Sequence, residues 1–151
     1  MALEPLAAAI EGMAFARWAG GGAYPFINSL HLLGLIMLVG AIGIVDLRLV
    51  GGFGALPLAP LVRALTPLAI AGFLILVVTG VALFAADARA LAGNAAFRWK
   101  LLLILAALLN ALAIRHFRRG GPPGLHARVL ALMSLGLWLL VGAFGRFIAY
   151  V

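Results

Sequence analysis

Four long apolar stretches dominate the pattern of hydrophobic and polar positions along the chain. Each holds the roughly 20 apolar residues that an α-helix needs to cross a bilayer. The pattern predicts an all-α membrane protein, a bundle of four spanning helices at about 24–50, 61–86, 95–117 and 125–150. Short segments rich in glycine and proline separate the stretches, as in turns between antiparallel helices. We therefore expect one membrane domain over residues 1–151.

The segment before the first stretch, residues 1–23, has a different pattern. Leu6, Ile10 and Met13 fall on one stripe of a helix, and Glu11 lies away from that stripe. This pattern predicts a short amphipathic helix that lies in the plane of the membrane interface. Because no lysine or arginine precedes its apolar part, the segment differs from a cleaved signal peptide, and we expect it to be retained.

The composition agrees with a membrane location. The chain is 66% hydrophobic and 10% charged, whereas soluble domains are about half apolar and about a quarter charged. Its formal net charge of +7 is carried at the ends of the apolar stretches, where basic residues set topology and contact anionic lipid. We therefore expect no nucleic-acid partner. The absence of cysteine excludes disulfides, iron–sulfur clusters and thiolate metal sites.

The distribution of basic residues also predicts an orientation. The loops at 51–60 and 118–125, with their flanks, carry more arginine than the opposite side of the membrane. The densest cluster runs from Arg115 to Arg128, which favours a cytoplasmic third loop. Since four helices bring both termini to one side, we expect both termini outside the cell.

Polar residues within the apolar stretches are candidates for function, because the bilayer makes them costly. A first group lies at similar depth in the outer half of the first, third and fourth helices. It comprises Tyr24, Asn28, His31, Lys100, Trp138 and Arg146. If these faces converge, they form a cationic pocket for a quinone or other lipid-like head group, the propionates of a haem or an anionic substrate. Alternatively, Lys100 and Arg146 extend to lipid phosphates, and His31 is a hydrogen-bonded histidine of the core.

A second group lies near the inner face. Asp46 is an acidic residue at this depth, where an unpaired carboxylate is expensive. The candidate partners for a structural ion pair between helix ends are Arg48, Arg63 and Arg115. A proton relay through Asp46 is the alternative. Between the two groups, residues 35–43 and 68–78 are apolar, which predicts a dry midplane.

The histidines permit one pairing for haem b. His116 and His126 flank the third loop on neighbouring helices, so they are the candidate axial ligands, whereas His31 lies at the opposite side of the membrane. The alternative is a pair of interfacial histidines. No two histidines share a helix at the spacing of metal ligands, so we predict no metal site. No catalytic motif is present, and we expect a protein without enzymatic activity.

Three segments resemble a family of small bacterial inner-membrane proteins with no established activity. The segments are YPFINSLHLLGLIMLVGAIGIVDLRLVG (24–51), the helix containing LTPLAIAGFLILVVTGVALF, and NAAFRWKLLL (94–103). The shared features are a Ser-x-His entry and an Asp-Leu-Arg exit of the first helix, and the resemblance covers about residues 18–110. It implies a four-helix fold and a bacterial inner membrane, and it points to His31, Asp46, Arg48, Asn94 and Lys100.

The architecture also looks, more loosely, like four-helix b-type cytochromes and copper-resistance membrane proteins, but it lacks the paired histidines of those cytochromes. The preferred hypothesis is a bundle that binds a ligand or a partner subunit through the outer pocket. Two alternatives remain open. One is a small transporter or channel that acts as a homo-oligomer, and the other is a structural subunit of a larger membrane complex.

Overall fold

A computed structural model describes residues 3–118 and 124–150, and every regular element in these ranges is a helix. In chain order the elements are α1 (Leu3–Glu11), α2 (Ala14–Gly20), α3 (Tyr24–Val50), α4 (Leu58–Ala86), α5 (Ala88–Gly93), α6 (Ala95–Arg118), α7 (Leu125–Phe147) and a 3₁₀ turn (Ile148–Tyr150). The helices α3, α4, α6 and α7 are long and apolar enough to cross a membrane. The predicted all-α class with four spanning helices is confirmed.

The helices differ from those that the sequence predicts in three places. The N-terminal segment forms two helices, because the chain breaks at Gly12 and Met13, where glycine disfavours a continuous helix. A further helix, α5, follows α4 directly. Helix α4 begins at Leu58, three residues before the predicted start. This start is compatible with Pro60, because a proline in the first turn lacks an N–H that has no partner there anyway. Pro67 consequently lies inside the helix.

The four spanning helices pack in the order α4–α3–α7–α6. The contacts of α3 are with α4 and α7, and α6 packs along α7. At one end, the rings of Phe84 on α4 and Phe97 on α6 stack with their centroids 5.5 Å apart. We call this end, which also holds α1, α2 and α5, the terminal end of the bundle. The opposite end, where α3 leads into α4 and α6 leads toward α7, is the loop end.

The tightest helix crossing joins α3 and α4 at two glycines. A Cβ atom added to Gly72 would lie 2.7 Å from the Gly34 carbonyl oxygen and 2.7 Å from the Leu38 amide nitrogen. A Cβ atom added to Gly34 would lie 2.9 Å from the Gly72 carbonyl oxygen. Helices in lipid associate through close van der Waals packing, which small residues permit. The two glycines therefore fix how α3 lies on α4.

Three buried apolar clusters follow one another along the bundle axis. The terminal cluster comprises Ala19, Ile27 and Ala82. The middle cluster comprises Leu38, Ala107, Trp138 and Val141. The loop-end cluster comprises Leu49, Ile114, Ala127 and Ala131. Polar residues lie between successive clusters, so the core alternates between apolar and polar layers.

The N-terminal helices are attached to the terminal end. The carboxylate of Glu11 accepts a hydrogen bond of 2.7 Å from the backbone amide of Arg89 and lies 3.4 Å from the Nε atom of the same residue. Ala7, Ala16 and Ala88 are buried where these short helices meet the bundle. The interaction joins α1 to the start of α5.

The glycine crossing yields a first prediction. Replacing Gly72 with alanine places a methyl group against the backbone of α3, and overpacking of this kind costs about 1–3 kcal/mol. We expect Gly72→Ala to lower the thermal unfolding temperature in mild detergent. Gly40→Ala is the matched control, because a Cβ atom at this exposed helical position meets no neighbour within 4 Å. Equal melting temperatures for the two variants would contradict the role of the crossing.

Candidate functional site

Between the terminal and middle clusters, three helices contribute polar side chains. We call His31 of α3, Thr79 of α4 and Lys100 of α6 the terminal polar layer. The Nδ1 atom of His31 lies 2.8 Å from the Thr79 hydroxyl oxygen. That hydroxyl donates to the carbonyl oxygen of Ile75 at 2.6 Å, so its proton is already used. His31 must therefore donate through Nδ1–H, which leaves Nε2 as a hydrogen-bond acceptor.

The amine of Lys100 packs closely against α7 at a glycine. Its Nζ atom lies 3.3 Å from the place where a Cβ atom of Gly145 would stand. Gly145 continues the stripe of α7 that carries the buried residues Trp138 and Val141. Because Gly145 has no side chain, the partly buried lysine extends across α7 inside the bundle. Its charge also acts electrostatically on His31.

The charge on Lys100 has no carboxylate counter-ion in the described part of the chain. Among residues 3–118 and 124–150, the salt bridge in the structure joins Glu11 and Arg89. The amine lies beside Gly145 of α7, and its charge acts on the imidazole of His31. A positive charge therefore stands inside the bundle without a carboxylate partner among the described residues.

The other predicted members of the outer pocket lie elsewhere. Tyr24 and Asn28 are exposed at the start of α3. Arg146 is exposed, donates to the hydroxyl of Tyr150 and lies 4.9 Å from the centre of that ring. Trp138 is buried in the middle cluster, one layer nearer the loop end. Of the six predicted residues, His31 and Lys100 are therefore partly buried, three are exposed, and Trp138 is buried one layer away.

A groove opens beside this layer at the terminal end. It lies between the α5–α6 junction and the end of α7, and its volume is about 650 Å³. The lining includes Asn94, Ala96, Phe144 and Phe147. Ala96 lies one helical turn before Lys100 on α6, and Phe144 directly precedes Gly145. The apolar groove therefore ends close to the lysine amine.

A second polar layer lies between the middle and loop-end clusters. It comprises Asp46 of α3, Asn110 of α6 and Ser134 of α7, and their exposed fractions are 2%, 7% and 1%. The carboxyl of Asp46 and the hydroxyl of Ser134 form a hydrogen bond. The amide nitrogen of Asn110 donates to the carbonyl oxygen of Leu130 at 2.9 Å. We call this group the loop-side polar layer.

Sequence reasoning did not identify Asn110 or Ser134. The available signal was a single polar residue within each of two apolar stretches, LLLILAALLNALA and VLALMSLGLWLL. Such residues often face a neighbouring helix, because lipid offers them no hydrogen-bond partner. The loop-side polar residues lie at the depth of Asp46, so the apolar residues 35–43 and 68–78 lie between the two polar layers and contribute to the middle cluster.

The arginines proposed as partners of Asp46 have other positions. Arg48 donates to the carbonyl oxygens of Leu56 at 2.7 Å and Gly54 at 3.3 Å, so it holds the loop after α3. Arg63 and Arg115 are exposed. No lysine or arginine whose side chain is described lies within ion-pair distance of Asp46. The neighbouring group at Asp46 is instead the hydroxyl of Ser134.

The histidines proposed as a haem pair lie at the loop end. His116 and His126 are both exposed, and part of the loop between them, residues 119–123, lies outside the described residues. The structure therefore does not place these two imidazoles in the bundle interior, where a haem between helices would need them. No group of three or more metal-binding side chains occurs in the described ranges.

The fold and its polar layers define a class of protein. Four apolar helices with polar groups enclosed between them are compatible with an integral, multi-pass membrane protein. No protein-family model, curated protein or solved structure matches this chain. The resemblance to small bacterial inner-membrane proteins stays a prediction.

The hydrogen bond between His31 and Thr79 can be tested directly. In Thr79→Val the imidazole loses its acceptor, which leaves a buried donor at a cost of about 1–3 kcal/mol. We expect a lower unfolding temperature and a changed tautomer of His31 in ¹⁵N NMR spectra. Thr66→Val is the control, because the exposed Thr66 hydroxyl bonds only to Val62 of its own helix at 2.7 Å. A His31 spectrum that is unchanged in Thr79→Val would refute the assignment.

Proposed function

We propose that this protein binds an anionic, lipid-like ligand at the terminal polar layer. The observation that carries the proposal is the Lys100 amine, which lies at the Gly145 position of α7 without a carboxylate among the described neighbours. The anionic head group contacts Lys100, and the apolar part lies in the groove beside Phe144 and Phe147.

The charge of Lys100 is partly enclosed between helices. An ammonium group enclosed among helices loses much of its hydration, and a buried charge is tolerated where it is paired. The tip of a lysine at a helix end often reaches the lipid head groups. Here the amine turns toward Gly145 of the neighbouring helix instead. A bound anion supplies the missing negative charge, and a charge-assisted hydrogen bond is about twice as strong as a neutral one.

The chemistry of the layer also selects among ligands. Lys100 only donates hydrogen bonds and carries positive charge, so a phosphate or carboxylate suits it better than the neutral carbonyl of a quinone. His31 presents Nε2 as an acceptor, because Nδ1 is engaged with Thr79. This acceptor suits a ligand hydroxyl. A head group that combines an anion with a hydroxyl therefore fits both residues.

The layered core favours the binding of a ligand over the transport of one across the membrane. The middle cluster, with Leu38 and Trp138 buried in it, separates the terminal polar layer from the loop-side polar layer. A transported ion or head group has to cross this apolar layer, whereas a ligand that enters from the terminal end meets Lys100 first. Binding from one side is therefore the function that this arrangement favours.

The test compares two variants, each of which removes one positive charge from α6. We expect Lys100→Gln to weaken the binding of dioctanoylphosphatidylglycerol to the purified protein in neutral detergent. Loss of a hydrogen bond to a charged group costs about 1.5–3 kcal/mol, which is roughly a ten- to hundredfold rise in Kd. Arg98→Gln is the control, because Arg98 is exposed two residues away. Titration calorimetry measures both values.

Three outcomes count against the proposal. They are no measurable binding to the wild-type protein, an equal loss in Lys100→Gln and Arg98→Gln, and equal affinity for the zwitterionic dioctanoylphosphatidylcholine. The second outcome indicates a general attraction of the basic surface for anionic lipid. Tighter binding of decylubiquinone than of the anionic lipid would replace the proposed ligand with a quinone.

A further inference from the structure

The loop-side polar layer encloses a carboxyl group with no basic partner among the described side chains. Asp46 is 2% exposed, and no basic side chain lies within ion-pair distance of it in the described parts of the chain. Arg48 is the nearest basic residue along α3, but its guanidinium is used by the carbonyl oxygens of the following loop. A buried carboxylate of this kind needs one positive charge from another source.

Two side-chain oxygen atoms in this layer lack a partner. Oδ2 of Asp46 and Oδ1 of Asn110 are fully enclosed, and neither accepts a hydrogen bond in the structure. Both side chains are more than nine-tenths buried. A buried acceptor without a partner costs about 1–3 kcal/mol. Two such oxygens in one polar layer are the pattern expected of a site that binds a hydrogen-bond donor or a cation.

Both side chains are held on one turn of α7. Asp46 bonds to the hydroxyl of Ser134, and Asn110 donates to the carbonyl oxygen of Leu130. In an α-helix the amide of residue 134 bonds to the carbonyl of residue 130, so these two contact points are adjacent. Residues from α3 and α6 therefore converge on the turn that runs from Leu130 to Ser134.

We propose that Asp46, Asn110 and Ser134 bind one monovalent cation, a sodium ion or a proton. The charge of the layer sets the stoichiometry, because one carboxylate is neutralised by one positive charge and a divalent ion leaves an excess. The available groups are carboxylate, amide and hydroxyl oxygens, which suit hard cations and protons. A water molecule can satisfy both oxygens, but it leaves the charge of Asp46 uncompensated. The site is separate from the proposed ligand site at Lys100.

The experiment measures the thermal unfolding of the purified full-length protein in neutral detergent. Sodium chloride is compared with N-methyl-D-glucamine chloride at constant ionic strength and at several pH values. A cation that binds the folded state raises the unfolding temperature by mass action. We expect the wild-type protein to unfold several degrees higher in sodium, or to lose stability as the pH rises in both salts if the occupant is a proton.

Two substitutions of aspartate separate this site from general effects of charge. Asp46→Asn removes the charge and supplies an amide donor for Asn110, so we expect a folded protein whose stability no longer responds to sodium or to pH in this range. Asp87→Asn is the control, because Asp87 is an exposed aspartate beyond the end of α4. We expect it to respond as the wild-type protein does.

A further variant tests the site without removing the charge. Asn110→Ala keeps the carboxylate but removes one oxygen, so we expect a several-fold higher sodium concentration for half of the stabilisation, or a smaller pH response for a proton. The proposal is overturned if the wild-type protein responds to neither cation, if the response survives in Asp46→Asn, or if Asn110→Ala retains the full response. An unfolding temperature that rises with sodium identifies the occupant as a sodium ion. An unfolding temperature that falls with rising pH equally in both salts identifies it as a proton.

Discussion

The contact between Gly34 and Gly72 is the constraint on which the arrangement of this bundle depends. In lipid the helices gain nothing from hiding apolar surface, so their register is set where their backbones approach most closely. The two helices run in opposite directions, so residues before Gly34 meet residues after Gly72. His31 precedes the first glycine by three residues, and Thr79 follows the second by seven. The glycine contact therefore aligns the two helices so that the imidazole meets the hydroxyl at 2.8 Å.

Helix α7 carries the residues of the same layers in the other half of the bundle. Its buried stripe contains Ala131, Ser134, Trp138 and Val141, and Gly145 continues it. Each residue matches a layer of the core: the alanine lies in the loop-end cluster, the serine faces Asp46, and the tryptophan and valine lie in the middle cluster. The glycine leaves room for Lys100. The residues on one face of α7 therefore follow the same alternation of apolar and polar layers as the core.

The four helices could be predicted because spanning length is a property of consecutive residues. The residues of the site depend on how neighbouring helices face each other, which spacing alone does not determine. Tyr24, Asn28 and His31 share a helical face, yet of the three only His31 is partly buried, where it meets Thr79 of α4. Arg146 has a partner one turn away in Tyr150, so its long side chain lies along its own segment.

The sequence pattern did not indicate Ser134 as the partner of Asp46, for a related reason. Charge complementarity pointed to arginines near the helix ends, but long arginine side chains at these ends reach loop carbonyls or solvent at lower cost. Ser134 is short and lies within an apolar stretch, so nothing in the local pattern marks it as a partner. A buried carboxyl favours a hydroxyl that already faces it, because that hydroxyl needs no further burial of charge.

The two uncompensated groups also influence each other. Lys100 and Asn110 lie ten residues apart on α6, which places the two polar layers about 15 Å apart along the axis. Opposite unit charges at this distance attract by about 1 kcal/mol at an effective dielectric constant of about 20. An anion bound at Lys100 neutralises the amine and removes this support from the Asp46 carboxylate. On the two proposals above, the carboxylate then binds its cation more tightly, so the proposed anion and the proposed cation favour each other's binding.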